Sequence, residues 1–98
     1  RMNRKWYFYA PTVLADVTKN VSSFNEEIFG PVASIMQYSN INEAIALANG
    51  TDFWLSACVF GNNQEENIKI AEQLDGWMIF INSIAGSRAS LPFGGVKK

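Results

Sequence analysis

Few residues of this 98-residue chain have chemical reach, and the most suggestive of them stand together. Glu26 and Glu27 form a carboxylate pair, with Phe29 two positions on and Gly30-Pro31 behind it. An ionised carboxylate accepts at both oxygens, so one such residue can hold two neighbouring hydroxyls at once. Taken alone, the pair also reads as a solvated helix end, and Phe29 as a core residue. Cys58 is the single thiol, set in the apolar run Ser56-Ala57-Cys58-Val59-Phe60, where a buried and unreactive sulfur is expected. The chain has no histidine. That excludes a Ser-His or Cys-His catalytic pair within it, and a Cys/His metal cluster as well.

The elements that must position these residues are those of a small globular unit. Apolar residues make up 48% and charged residues 17%, a balance that favours a packed chain over a disordered one. Three Trp, three Tyr and seven Phe bring much apolar surface that must be buried or partnered. Eight basic against nine acidic residues give a net charge of -1, which offers no basic face for nucleic acid. One cysteine permits no internal disulfide and suits a reducing compartment. No apolar run approaches the ~20 residues of a membrane-spanning helix. The basic start, Arg1-Met2-Asn3-Arg4-Lys5, is not followed by the apolar core of a signal peptide. A cytoplasmic location is the expectation, and the sequons at Asn20 and Asn49 read as chance matches.

Along the chain, Trp6-Tyr7-Phe8-Tyr9 and Thr12-Val13-Leu14-Ala15-Asp16-Val17 favour extended structure on either side of Pro11. A helical turn is expected near 22–26. Val32 to Tyr38 reads as a strand. Asn40 and Glu43 have the spacing of a capping box, and Ile41, Ala44, Ile45 and Ala48 recur at helical spacing until Asn49-Gly50. Ala57 to Phe60 is a short strand. Asn62 with Glu65, or Asn63 with Glu66, opens a second helix with the stripe Ile68, Ala71, Leu74 and a stop at Gly76. Trp77-Met78-Ile79-Phe80-Ile81 reads as a strand buried on both faces of a parallel sheet. The order over 32–82 is strand, helix, strand, helix, strand. The fold class is therefore α/β, a parallel βαβαβ arrangement preceded by short extended strands. Its unpaired sheet edges invite self-association.

Several motifs carry a family resemblance. Glu26-Glu27-Ile28-Phe29-Gly30-Pro31-Val32, Phe8-Tyr9-Ala10-Pro11-Thr12-Val13-Leu14, Glu43-Ala44-Ile45-Ala46-Leu47-Ala48-Asn49, Phe80-Ile81-Asn82 and Leu91-Pro92-Phe93-Gly94-Gly95-Val96-Lys97 occur in order across nearly the whole chain. Together they resemble the late part of the catalytic domain of the aldehyde dehydrogenase superfamily. That family oxidises an aldehyde with NAD or NADP. A cysteine thiolate attacks the carbonyl, hydride passes to the nicotinamide, and a glutamate general base assists release of the acid.

The resemblance implies roles for particular residues. Glu27 corresponds to the carboxylate that binds the nicotinamide-ribose hydroxyls, and Phe29 to the aromatic that packs on the nicotinamide ring. Glu26 is left as a surface residue. Phe93 corresponds to a phenylalanine of the aldehyde entry pocket, with 83–90 as the variable loop at its mouth. Arg88 in that loop is either an anchor for a substrate carboxylate or an exposed loop arginine. The Leu-Pro-Phe-Gly-Gly-Val-Lys-Lys ending is most similar to the succinate-semialdehyde group, so that small aldehyde is the favoured partner. No catalytic residue is assigned within the chain.

The departures matter as much. The family's G-Q-x-C nucleophile motif, its E-L-G-G general-base motif and its glycine-rich cofactor segment have no counterpart here. On this reading residues 1–98 are one partial catalytic-domain segment, truncated at both ends and inactive in isolation. The alternative is a stand-alone, non-catalytic remnant serving as a structural or interaction module. Trp54 and Trp77 stand where the family commonly has glycine. In that family's usual packing, each would cost about 1–3 kcal/mol by overpacking.

Overall fold

The computed structural model describes residues 6–94, so the basic start Arg1–Lys5 and the Gly95-Val96-Lys97 end of the last motif lie outside the described residues. Two compact units divide at Ser39 and Asn40.

In the first unit, β1 (Thr12–Leu14) pairs in parallel with β2 (Val32–Ser34), with Thr12 opposite Val32 and Leu14 opposite Ser34. Two further bonds prolong the ladder, from Ile35 N–H to the Leu14 carbonyl and from Val17 N–H to the Ile35 carbonyl. Regular pairing stops there because Asp16 takes a left-handed φ of 54°, which breaks the extended run. Its carboxylate accepts from the Gln37 amide at 2.8 Å and steadies the turn. The expected aromatic strand at 6–9 is not formed, since Thr12–Leu14 alone meets a partner. The single turn α1 (Ser22–Asn25) lies where a helical turn was expected.

The second unit holds α2 (Ile41–Ala48), β3 (Ser56–Val59), α3 (Gln64–Ala71) and β4 (Met78–Ile81). Asn40 caps α2 by accepting from Glu43 N–H at 3.0 Å. Of the two candidates for the second cap, Asn63 is the one used, accepting from Glu65 and Glu66 N–H. Strands β3 and β4 run parallel in register, and α3 packs on both. Asn49 joins the two helix ends: its Nδ2 donates to the Gln73 carbonyl and its Oδ1 accepts from Asp75 N–H. One of the two sequon asparagines therefore already has its amide engaged.

The α/β class and the parallel pairing hold, but the pairing partners differ from a continuous three-stranded βαβαβ sheet. The hydrogen bonds make two two-stranded sheets, β1-β2 and β3-β4. Burial is also slighter than the apolar runs imply. Among the described residues Val59, at 8% exposure, is the one buried hydrophobic side chain, and every residue of β4 is only half-buried. A two-stranded sheet with one helix against it leaves much of its surface open, so the expected burial of β4 on both faces is not met.

Among the described residues the buried polar one is Asn67, 3% exposed on α3. Its Nδ2 donates to the Gly61 carbonyl at 2.9 Å, and Asn82 Nδ2 donates to the same oxygen at 3.0 Å. Asn82 Oδ1 in turn accepts from Gly61 N–H at 2.9 Å. Asn82 reaches this geometry through a left-handed φ of 50°, which asparagine tolerates better than most residues. A Cβ at Gly61 would collide with the Asn67 amide, so this position requires glycine for close approach. The three residues lock the C-terminal ends of β3 and β4, and Asn82 sets the direction in which the chain leaves toward 83–94.

Candidate functional site

The segment 26–31 is a short loop pinned at both ends. At its start Glu26 N–H donates to the Ser22 carbonyl at 2.8 Å and closes α1. At its end Thr12 N–H donates to the Pro31 carbonyl at 2.9 Å, which sets the entry into β2. The Ser34 hydroxyl reaches the Ser23 carbonyl at 3.4 Å and ties the strand back to the helical turn. Between the pins, Glu26, Glu27, Ile28 and Phe29 are all exposed, and Phe29 presents 89% of its surface. The Glu27 carboxylate takes no hydrogen bond or ion pair among the described residues. The space over Gly30 is open to 4 Å, and the glycine has no positive φ. What the loop offers is an unencumbered carboxylate, a bare aromatic face and an uncovered stretch of backbone, on a base held by three hydrogen bonds.

The second unit carries Arg88 and Phe93. A turn closes where Leu91 N–H donates to the Arg88 carbonyl at 3.0 Å, and both Arg88 and Phe93 are exposed on either side of it. Next to them, Trp77 Nε1–H donates to the Pro92 carbonyl at 3.0 Å. Among the described residues no group of His, Cys, Asp and Glu is placed to hold a metal ion. No helix of the described residues is long and apolar enough to cross a membrane.

The comparisons with known proteins agree with this arrangement. The model of the aldehyde dehydrogenase family matches residues 1–98. The chain belongs to that family. Succinate-semialdehyde dehydrogenase [NADP(+)] 1 of Mycobacterium tuberculosis is 39% identical over 98 residues, covering 100% of this chain and 21% of the relative. The solved structure of Gox0499, from work on its cofactor and substrate selection, superposes with a TM-score of 0.94 at 42% identity, over 99% of this chain and 21% of that one. Succinic semialdehyde dehydrogenase of Streptococcus pyogenes, solved with NADP+ as the cofactor, gives a TM-score of 0.86 at 41% identity, over 92% of this chain and 20% of that one. The chain thus spans about a fifth of the length of the relatives it matches.

Within this aldehyde dehydrogenase chain three expectations change. Cys58 is exposed, not buried. Side chains alternate along β3, so Val59 takes the covered face and Cys58 the open one. Trp54 and Trp77 each lie over a glycine, which leaves their rings room that a side chain would take. An added Cβ at Gly76 would meet the Trp54 ring at 3.0 Å, and one at Gly94 would meet the Trp77 ring at 3.4 Å. The contact of Trp77 with the Pro92-Phe93-Gly94 segment is one that motif reading did not find. Its only trace in the sequence is a tryptophan where the family commonly has glycine.

Proposed function

We propose that residues 1–98 form one segment of an NAD(P)-dependent aldehyde dehydrogenase catalytic domain, in which the 26–31 loop holds the nicotinamide end of the cofactor. The observation that carries this reading is the pinned loop with Glu27 and Phe29 both exposed on it, in a chain matched by the family throughout. The residues fit the group. Glu27 has an open carboxylate for two ribose hydroxyls, Phe29 has a bare face for a planar ring, and nothing crowds Gly30. When bound, the cofactor accepts hydride from the substrate. The chain's own residues orient and hold; neither the nucleophile nor the general base is among them. Phe93 contributes to the aldehyde pocket, with 83–90 at its mouth.

The substrate favoured is succinic semialdehyde, for which the similar Mycobacterium tuberculosis and Streptococcus pyogenes enzymes are named. Arg88, exposed and on a hydrogen-bonded turn, is then the anchor for the distal carboxylate. The test bed is a chimera in which residues 1–98 replace the matching stretch of the Mycobacterium tuberculosis enzyme. It should oxidise succinic semialdehyde with NADP+, and the 98-residue chain alone should not. A folded chimera without turnover would overturn the proposed role, and cysteine-dependent NADPH formation by the isolated chain would overturn the division of labour. In the chimera, Arg88→Ala should lower the preference for carboxylated over neutral aldehydes about tenfold, as expected for losing one charge-assisted hydrogen bond. An unchanged preference would remove Arg88 from the substrate site.

A further inference from the structure

Phe93 sits between two neighbours that are both fastened to one side chain. Before it, the Pro92 carbonyl accepts the Trp77 indole N–H at 3.0 Å. After it, Gly94 lies against the Trp77 ring, close enough that a Cβ would approach the indole to 3.4 Å. Phe93 itself remains 72% exposed. Trp77 stands directly before β4, whose register with β3 is fixed by four residue pairs, so the indole hangs from the start of a paired strand. Strand and loop together, through Trp77, Met78, Ile79, Phe80, Leu91 and Pro92, line a cavity of about 350 Å³.

Burial alone does not account for this placement, because Trp77 keeps 44% of its surface exposed while its one polar atom finds a partner. A glycine here would supply neither the donor nor the flat surface, and the backbone on both sides of Phe93 would lose its tie. We infer that Trp77 is a positioning residue for the aldehyde pocket: it latches residues 92–94 to β4 and so aims Phe93. The ligand whose fit it governs is a small aldehyde in the pocket that Phe93 lines, with 83–90 at its mouth. This rests on the reading of that segment as the aldehyde mouth.

The experiment compares Trp77→Phe and Phe93→Ala in the chimera. Phenylalanine keeps an aromatic ring near Gly94 and lacks the donor. Aldehyde KM should rise about three- to tenfold in Trp77→Phe, the scale of one lost hydrogen bond plus misorientation, with kcat and cofactor KM within about twofold. Trypsin should also cut after Arg88 about threefold faster or more, since a released segment opens more readily. If Phe93→Ala raises aldehyde KM and Trp77→Phe does not, the latch is overturned and the mouth stands. If neither variant moves it, the mouth reading falls, and the latch with it. A uniform loss of kcat and of both affinities would assign Trp77 to stability alone and overturn the latch. Should Trp77→Phe not fold, Gly94→Val, which crowds the indole off the segment, must give the same split; unchanged kinetics there overturn the inference.

Discussion

In the chimera, Glu27→Ala raises the KM for the nicotinamide cofactor about 10- to 100-fold and leaves the KM for the aldehyde near its starting value. The magnitude follows from what the carboxylate has to offer. It is exposed, takes no partner among the described residues, and stands on a loop whose ends are hydrogen-bonded. Hydrogen bonding to a charged acceptor contributes about 1.5–3 kcal/mol. Taken once for the pair of hydroxyls, because an exposed carboxylate exchanges them against water, this is on the order of 10- to 100-fold. Glu27→Gln keeps one acceptor oxygen and loses the charge, so it should fall between. Steady-state kinetics with each substrate varied in turn separates this outcome from a general loss of folded enzyme. Glu26→Ala is the control: its backbone N–H closes α1, its carboxylate is an exposed surface group, and its cofactor KM should stay within about twofold of the parent.

Phe29→Ala acts on a different quantity. A ring 89% exposed on a pinned loop contributes little to holding the fold, so its removal should leave stability nearly intact. Against a nicotinamide the same ring restricts tilt, and hydride transfer is steep in geometry. Misplacement of the reacting atoms by about 1 Å costs on the order of 100-fold. The expected result is a fall in kcat of about 10- to 100-fold with a cofactor KM raised only severalfold. Single-turnover measurement with deuterated aldehyde reads this directly, because a slowed hydride step exposes a larger isotope effect. A kcat unchanged in Phe29→Ala would mean that the ring does not position the nicotinamide.

The helices of the second unit were legible because their signals are local. Asn40 and Asn63 cap them through bonds to residues two or three positions on, and Asn49 ends α2. The loop at 26–31 was legible as a motif and as the link between a helical turn and a strand. Strand partnership was not. Nothing in Val32–Ser34 states that it pairs with Thr12–Leu14, since a parallel neighbour is chosen by long-range closure and not by the strand's own composition. Burial was misread for a related reason. An apolar run such as Met78–Ile81 expresses a demand for cover, and its composition does not say whether any other element meets it. Cys58 was placed inside on the same logic, although strand alternation puts it opposite the buried Val59. The left-handed turns at Asp16 and Asn82 were also invisible, because each depends on a side chain bonding to residues 21 positions away. Trp54 and Trp77 showed in the sequence as departures, and only their distant glycine partners explain how they are accommodated.

The central claim is that the loop carrying Glu27 and Phe29 holds the nicotinamide end of the cofactor. A crystal structure of the chimera with NADP+ bound tests it most directly. The Glu27 carboxylate should lie within about 3.2 Å of both nicotinamide-ribose hydroxyls, with the Phe29 ring against the nicotinamide. Density for an ordered nicotinamide ribose whose hydroxyls are held by other groups, with Glu27 turned to solvent, would contradict it.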